Sequence, residues 1–234
     1  TPQTQSPVST EAGITPVTAA PVNSGPPSSD GMVKIPAGPY EVGTTPTDDY
    51  HSAIITTDLS EFWVDKYQVT NAQYQKFIAA TGSKPPEVWP GEDDHPVRGV
   101  AWSEAAAYCS SLNKRLLTET EWEAVGRGPG ANPQIFPWGN DPTADGKTLA
   151  MPDQDTYAVG SQPFNVGALG VFDLVGNVWE WVAKPYSNIQ ADYNILRGGR
   201  FGNPQDLAYR LAVAPDDTRY VQYAGFRCAA DQVK

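Results

Sequence analysis

FDLVGNVWEW, residues 172–181, gathers two carboxylates (Asp173 and Glu180), a glycine (Gly176), an amide (Asn177) and two indoles (Trp179 and Trp181) into ten positions. The side-chain oxygens of Asp173 and Glu180, with backbone carbonyls turned inward around Gly176, make the all-oxygen ligand set that a hard cation such as calcium takes. The same residues also suit a turn leading into a tryptophan-rich core strand. The stretch does not follow the EF-hand pattern, and its spacing alone leaves both readings open.

Upstream of this stretch the chain alternates short strand signals with three helix signals. MVKIPAGPYEVG (32–43) reads as two strand pieces around its prolines, and IITTDL and EFWV (54–64) as two more. Thr70 or Asn71 caps NAQYQKFIAATG, which places Tyr74, Phe77 and Ile78 on one face and stops at Gly82. Ser103 is expected to cap EAAAYCSSLNKRL, with Cys109 on the face shared by Ala105 and Leu112. Thr118 and Glu121 form a capping-box pattern before WEAVGRG. Residues 128–171 are rich in Gly, Pro, Asn and Asp, and long ordered loops of this kind belong to domains whose loops bind. The pattern predicts an α+β domain with two or three short helices, many short strands and a low content of regular secondary structure.

Composition removes several classes of function. The chain has 234 residues and a formal charge of -11, from 27 acidic and 16 basic side chains. That sign disfavours phosphate backbones and anionic lipid, so no nucleic-acid partner is expected. No run of about 18 apolar residues is present, so no membrane span is expected in the chain. Residues 1–30 hold six prolines, many Thr and Ser and no aromatic side chain, which is the composition of a tether or of an arm that orders on a partner. The folded domain is expected over 31–234. A chain opening at Thr1 is what a signal segment leaves behind, or what trimming leaves. The two cysteines, Cys109 and Cys228, read either as one staple or as two buried thiols.

IPAGPYEVG, WVDKYQVTNAQY, HPVRGVAW, AYCSSLNKRLLTETEWE, FPWGN, VFDLVGNVWEW, RGGRFG and GFRCAA occur in this order between residues 32 and 231. In that order they resemble the formylglycine-generating enzyme (sulfatase-modifying factor) family. The resemblance implies a single domain related to the C-type lectin fold. It also implies a structural calcium ion held by the Asp173 and Glu180 side chains and the Gly176 and Val178 carbonyls. The family's second calcium position falls in LAMPDQDTYAVG (149–160), where the expected Asn is missing and only Asp153 or Asp155 is available to compensate. The cysteines that match Cys109 and Cys228 form a disulfide in the family, which points to an extracytoplasmic location, whether periplasmic, cell-surface or secreted.

Catalytic members of the family oxidise a substrate cysteine with molecular oxygen, through a cysteine pair that binds copper. Here no cysteine lies between Cys109 and Cys228, and Leu211 stands about where one active thiol would fall. Without soft thiolates no copper is expected, and formylglycine generation is not expected either. Iron-dependent relatives place histidines in an additional domain; this chain has only His51 and His95, both read as structural. No nucleotide-binding glycine loop and no Ser/His/Asp spacing is present. What remains is surface. The resemblance gives the segment carrying Arg200, Phe201, Tyr209, Arg210, Arg219, Tyr220 and Tyr223 to active-site or ligand-binding loops, and Tyr and Arg are the types enriched at interface hot spots. The expectation is a non-catalytic accessory or binding subunit that docks onto a larger protein assembly, such as a membrane-bound complex. Two alternatives stand beside it: a metal-dependent oxidase or modifying enzyme with a non-thiol site, and a hypervariable lectin-like receptor.

Overall fold

The structure, a computed structural model, describes residues 28–45, 49–86, 88, 91–131, 134–142, 155–183, 193–214 and 217–234. The expected arm over 1–30 thus lies outside the described residues except for 28–30, and Asp153 lies outside them as well.

Twelve short strands, three α-helices and one 3-10 turn (Val221–Tyr223) are described. The strands β1 (Met32–Ile35), β4 (Phe62–Asp65), β5 (Arg115–Leu116) and β12 (Cys228–Ala230) form one sheet in the order β1-β4-β12-β5. A second sheet has the order β10-β7-β6-β11, from β6 (Trp179–Val182), β7 (Asn194–Arg197), β10 (Arg210–Val213) and β11 (Ala224–Gly225). Two hairpin ladders complete the set: β2 (Gly38–Val42) with β3 (Ile55–Leu59), and β8 (Gly199–Arg200) with β9 (Asn203–Pro204). The chain's last strands therefore serve both sheets, which closes the domain on itself.

The helices form where local chemistry places them. In α1 (Asn71–Thr81) the Thr70 hydroxyl accepts from the Gln73 N–H while the Gln73 side chain accepts from the Thr70 N–H, and Gly82 ends the helix in the left-handed region at φ 69°. In α3 (Glu119–Arg127), Thr118 and Glu121 exchange the same pair of bonds. The second helix departs from expectation. α2 spans Trp102–Ser111, and its first turn is tied by the Glu104 carboxylate, which accepts from the Ala101 N–H at 2.9 Å, so Ser103 is not the cap. The Trp102 indole donates to the Val182 carbonyl at 2.8 Å and fixes that earlier start. The helix stops before KRL because Asn113 turns left-handed (φ 57°) and the Lys114 N–H closes back on the Cys109 carbonyl. Leu112 is thereby swung outward, 43% exposed, instead of sharing the buried face of Ala105 and Cys109.

Cys109 of α2 and Cys228 of β12 are joined as a disulfide, Cα to Cα 5.6 Å, with a sequence separation of 119 residues. Around it one apolar cluster gathers Tyr74, Phe77, Tyr108, Phe226, Trp179 and Trp181. A second cluster gathers Tyr40, Phe62, Trp122, Leu174, Val175 and Val182. The 172–181 stretch is what joins them: alternate residues of β6 point to opposite faces, so Trp179 and Trp181 enter the first cluster while Glu180 and Val182 face the second. Both indoles are core, as expected.

Candidate functional site

The turn before β6 is built from residues that tolerate a left-handed backbone: Asp173 (φ 59°), Gly176 (φ 78°) and Asn177 (φ 61°). Gly176 donates its N–H to the Gly198 carbonyl at 2.7 Å, and a Cβ on Gly198 would strike the Leu174 carbonyl oxygen, so the two segments approach only because residue 198 is glycine. Asn177 locks the turn from its side chain, which accepts from the Tyr157 N–H at 3.0 Å and donates to the Tyr157 carbonyl at 3.2 Å.

Glu180 sits at the centre and is fully buried. Its carboxylate accepts from Arg227 twice, Nη2 to Oε1 at 2.6 Å and Nε to Oε2 at 2.7 Å, and from the Trp122 indole at 2.9 Å. Arg227 in turn donates to the Phe172 carbonyl at 2.8 Å, which ties the last strand to the start of the turn. This fork-to-fork pair was not legible as a pair in the sequence, since its members lie 47 residues apart.

A third oxygen-rich point lies beside that pair. Gln68 Nε2 is 3.0 Å from Glu180 Oε1, 3.1 Å from the Asp173 carbonyl and 3.4 Å from the Val178 carbonyl. Three of the four residues expected to bind calcium thus converge, although Asp173 arrives with its carbonyl rather than its carboxylate, and the Gly176 carbonyl is not among the oxygens that Gln68 meets. The Asp173 carboxylate is buried close by in sequence: Oδ2 accepts from the Gly160 N–H at 2.6 Å, and Oδ1 finds no donor. Burial pushes its carboxyl up to about 7, against the opposing pull of the Gly160 N–H and Arg227. Gln68 Oε1 is likewise buried without a donor. Buried acceptors that lack a hydrogen-bond donor, beside carboxylate and carbonyl oxygens, fit a hard cation.

The loop residues singled out from the sequence separate into groups. Arg210 belongs to a buried ion network: it meets the Glu119 carboxylate at 2.8 and 2.9 Å and the Ser52 hydroxyl at 2.8 Å. Arg197 bridges Glu119 (2.9 Å) and Glu123 (2.7 Å) in the same network. Arg210 is thus tied into the domain's own ion network. Leu211 is buried in the first cluster.

Arg200, Phe201 and Tyr223 stack together, with the Arg200 guanidinium 4.1 Å from the Tyr223 ring centre and Arg98 5.4 Å from that of Phe201. Phe201 is itself buried, so it is the platform and the arginines are the face. Arg98 has an ion-pair partner in Asp155 at 3.4 Å, whereas no described carboxylate pairs with Arg200. Arg219 pairs with Asp217 at 2.7 Å and lies over Tyr220 on the exposed rim.

Tyr209 stacks on Tyr50 (ring centres 5.0 Å apart) and meets the edge of His51, whose Nε2 is 3.2 Å from Asp206. Tyr50, 44% exposed, was missed from the sequence; the adjacent Tyr-His pair in a loop was the available signal. His95 hydrogen-bonds the Thr156 hydroxyl through Nδ1 at 2.9 Å, the structural use expected of it. Among the described residues one set of three metal-ligand side chains, Glu92, Asp94 and His95, comes within 4.8 Å, and it does not include His51. Also among the described residues, no helix is long and apolar enough to cross a membrane.

Comparison with known proteins agrees with this architecture. The sulfatase-modifying factor enzyme 1-like domain matches residues 18–232. A formylglycine-generating enzyme from Thermomonospora curvata is 29% identical, over 86% of this chain and 93% of its own. The Bos taurus protein named inactive C-alpha-formylglycine-generating enzyme 2 is 28% identical, over 85% of this chain and 87% of its own. The solved structure of PvdO from Pseudomonas aeruginosa superposes with a TM-score of 0.67 at 24% identity, over 86% of this chain and 94% of that one, and so shares the fold. The α+β, formylglycine-generating-enzyme-like fold is present, and the chain belongs to the sulfatase-modifying factor (formylglycine-generating enzyme) domain family.

Proposed function

We propose that this chain is a non-catalytic, extracytoplasmic binding or accessory module that docks onto a larger protein assembly, with the 172–181 turn as its structural calcium centre. Arg200 carries the reading. In a chain of net charge -11 its guanidinium is held over Tyr223 with no described carboxylate to neutralise it, which is the form of an interface anchor for an acidic or carbonyl-rich partner. The thiol chemistry of the family's catalytic members has no residues here, since both cysteines of the chain are spent on one disulfide. A related protein bearing the name inactive gives a precedent for the scaffold without the reaction. The disulfide fits an oxidising compartment, and a membrane-bound complex is the assembly we favour.

In the calcium centre Asp173, Val178 and Glu180 supply oxygens, with Gly176 shaping the turn. When bound, the ion neutralises buried oxygens and contributes stability.

The docking reading is tested by the double variant Arg200→Glu/Tyr223→Ala. Loss of a central Arg–Tyr anchor costs about 2 kcal/mol or more of binding, roughly a thirtyfold weakening. Proteins cross-linked to the wild type in its native envelope fraction should be lost from the variant, and from Arg200→Glu alone, which leaves the packing of Tyr223 on Phe201 in place and the melting temperature close to that of the wild type. An identical cross-linked set from both would remove this face from the account.

A further inference from the structure

Gln68 is the buried polar group for which neither the ion pair nor the turn accounts. It lies between β4 and α1, and its neighbour Val69 is held on both sides, by its N–H to the Phe226 carbonyl (2.9 Å) and its carbonyl to the Val97 N–H (2.8 Å). The backbone therefore aims the side chain inward with little freedom. Its Nε2 has two hydrogens but faces three acceptors, while its Oε1 faces no donor. As a hydrogen-bonding arrangement this is poor at both ends.

The distances suit a different role. Oxygens that share a calcium ion at about 2.3–2.6 Å, at right angles to one another, stand about 3.3–3.7 Å apart, and less at sharper angles. The head atom of Gln68 lies 3.0, 3.1 and 3.4 Å from its three oxygen neighbours, the spacing of one ligand from the others around a common ion. A half-turn of the carboxamide exchanges Nε2 for Oε1 without displacing the side chain. The Gln68 oxygen would then lie within 3.4 Å of the oxygens of Asp173, Val178 and Glu180.

We propose that Gln68 is a further ligand of this centre and also its stand-in: the carboxamide oxygen joins the cation when it is bound, and the amide N–H groups cover the same oxygens when it is not. The inference rests on the calcium reading above and adds a regulatory residue to it, one that limits the damage of cation loss.

Terbium titration of the full chain tests this, with Trp122, whose indole bonds the Glu180 carboxylate, as the excitation antenna. The wild type should give sensitised emission that calcium displaces. Gln68→Glu should bind at least tenfold more tightly, and its melting temperature should fall further on chelation than that of the wild type, because an added carboxylate without a cation faces Asp173 and Glu180. Gln68→Met, which keeps the length and removes the oxygen, should bind at least tenfold more weakly. Affinities of both variants within twofold of the wild type would overturn the role of Gln68 and leave calcium binding standing. Absence of both terbium emission and calorimetric calcium binding in the wild type would remove the calcium reading, and this inference with it. Near-ultraviolet circular dichroism of each variant confirms that the comparison is between folded proteins.

Discussion

Glu180→Ala is expected to lower the stability of the domain by about 3–5 kcal/mol, the usual cost of removing one partner of a buried ion pair. The cause is what remains behind. Arg227 is fully buried, and without Glu180 its guanidinium keeps only carbonyl acceptors at Phe172 (2.8 Å), Lys66 (3.4 Å) and Asp65 (3.5 Å). Trp122 Nε1 loses its acceptor as well. For a domain of this size the loss corresponds to a fall in melting temperature on the order of 10 °C. The double variant Glu180→Leu/Arg227→Met separates the two causes, because replacing a whole buried pair with apolar groups is far less costly than halving it. Measured in chelator, so that no cation contributes to either protein, its melting temperature should recover most of the loss in calorimetry. A double variant as unstable as the sum of the two single ones would show that charge left unpaired is not the source.

Removing the disulfide should cost a comparable amount. The bond closes a loop of 119 residues, for which the chain-entropy relation gives a little under ~5 kcal/mol, with measured effects often smaller. Both cysteines are buried in the apolar cluster that also holds Phe226 and Tyr108, so Cys109→Ala/Cys228→Ala measures the link without burying new hydroxyls. The expected loss is about 3–5 kcal/mol in denaturant unfolding. A loss below 1 kcal/mol would mean that the two ends are held together in the unfolded chain by other means.

What could be read from the sequence and what could not divide by distance along the chain. The caps at Thr70 and Thr118 were legible because both partners lie within three residues, and so was the alternation that sends Trp179 and Trp181 into the core. The eight ordered motifs gave the family, and the resemblance gave the Cys109–Cys228 pairing. The ion pairing of Arg210 is not legible in the sequence because its partner Glu119 is 91 residues away, and nothing local announces it. Gln68 carries no signal in the sequence for the same reason: its contact with Glu180 spans 112 residues. Leu112 was misplaced by a single left-handed residue, Asn113, which ends the helix one turn before its apolar pattern does.

As the structural calcium centre we propose, the 172–181 turn holds the two clusters together beneath a binding face. Differential scanning calorimetry of the full chain in calcium and in chelator tests it most directly. With calcium at about a hundredfold above its dissociation constant the linkage is worth about 2.7 kcal/mol, so chelation should lower the melting temperature by about 5–10 °C. Superimposable transitions in calcium and in chelator would contradict it.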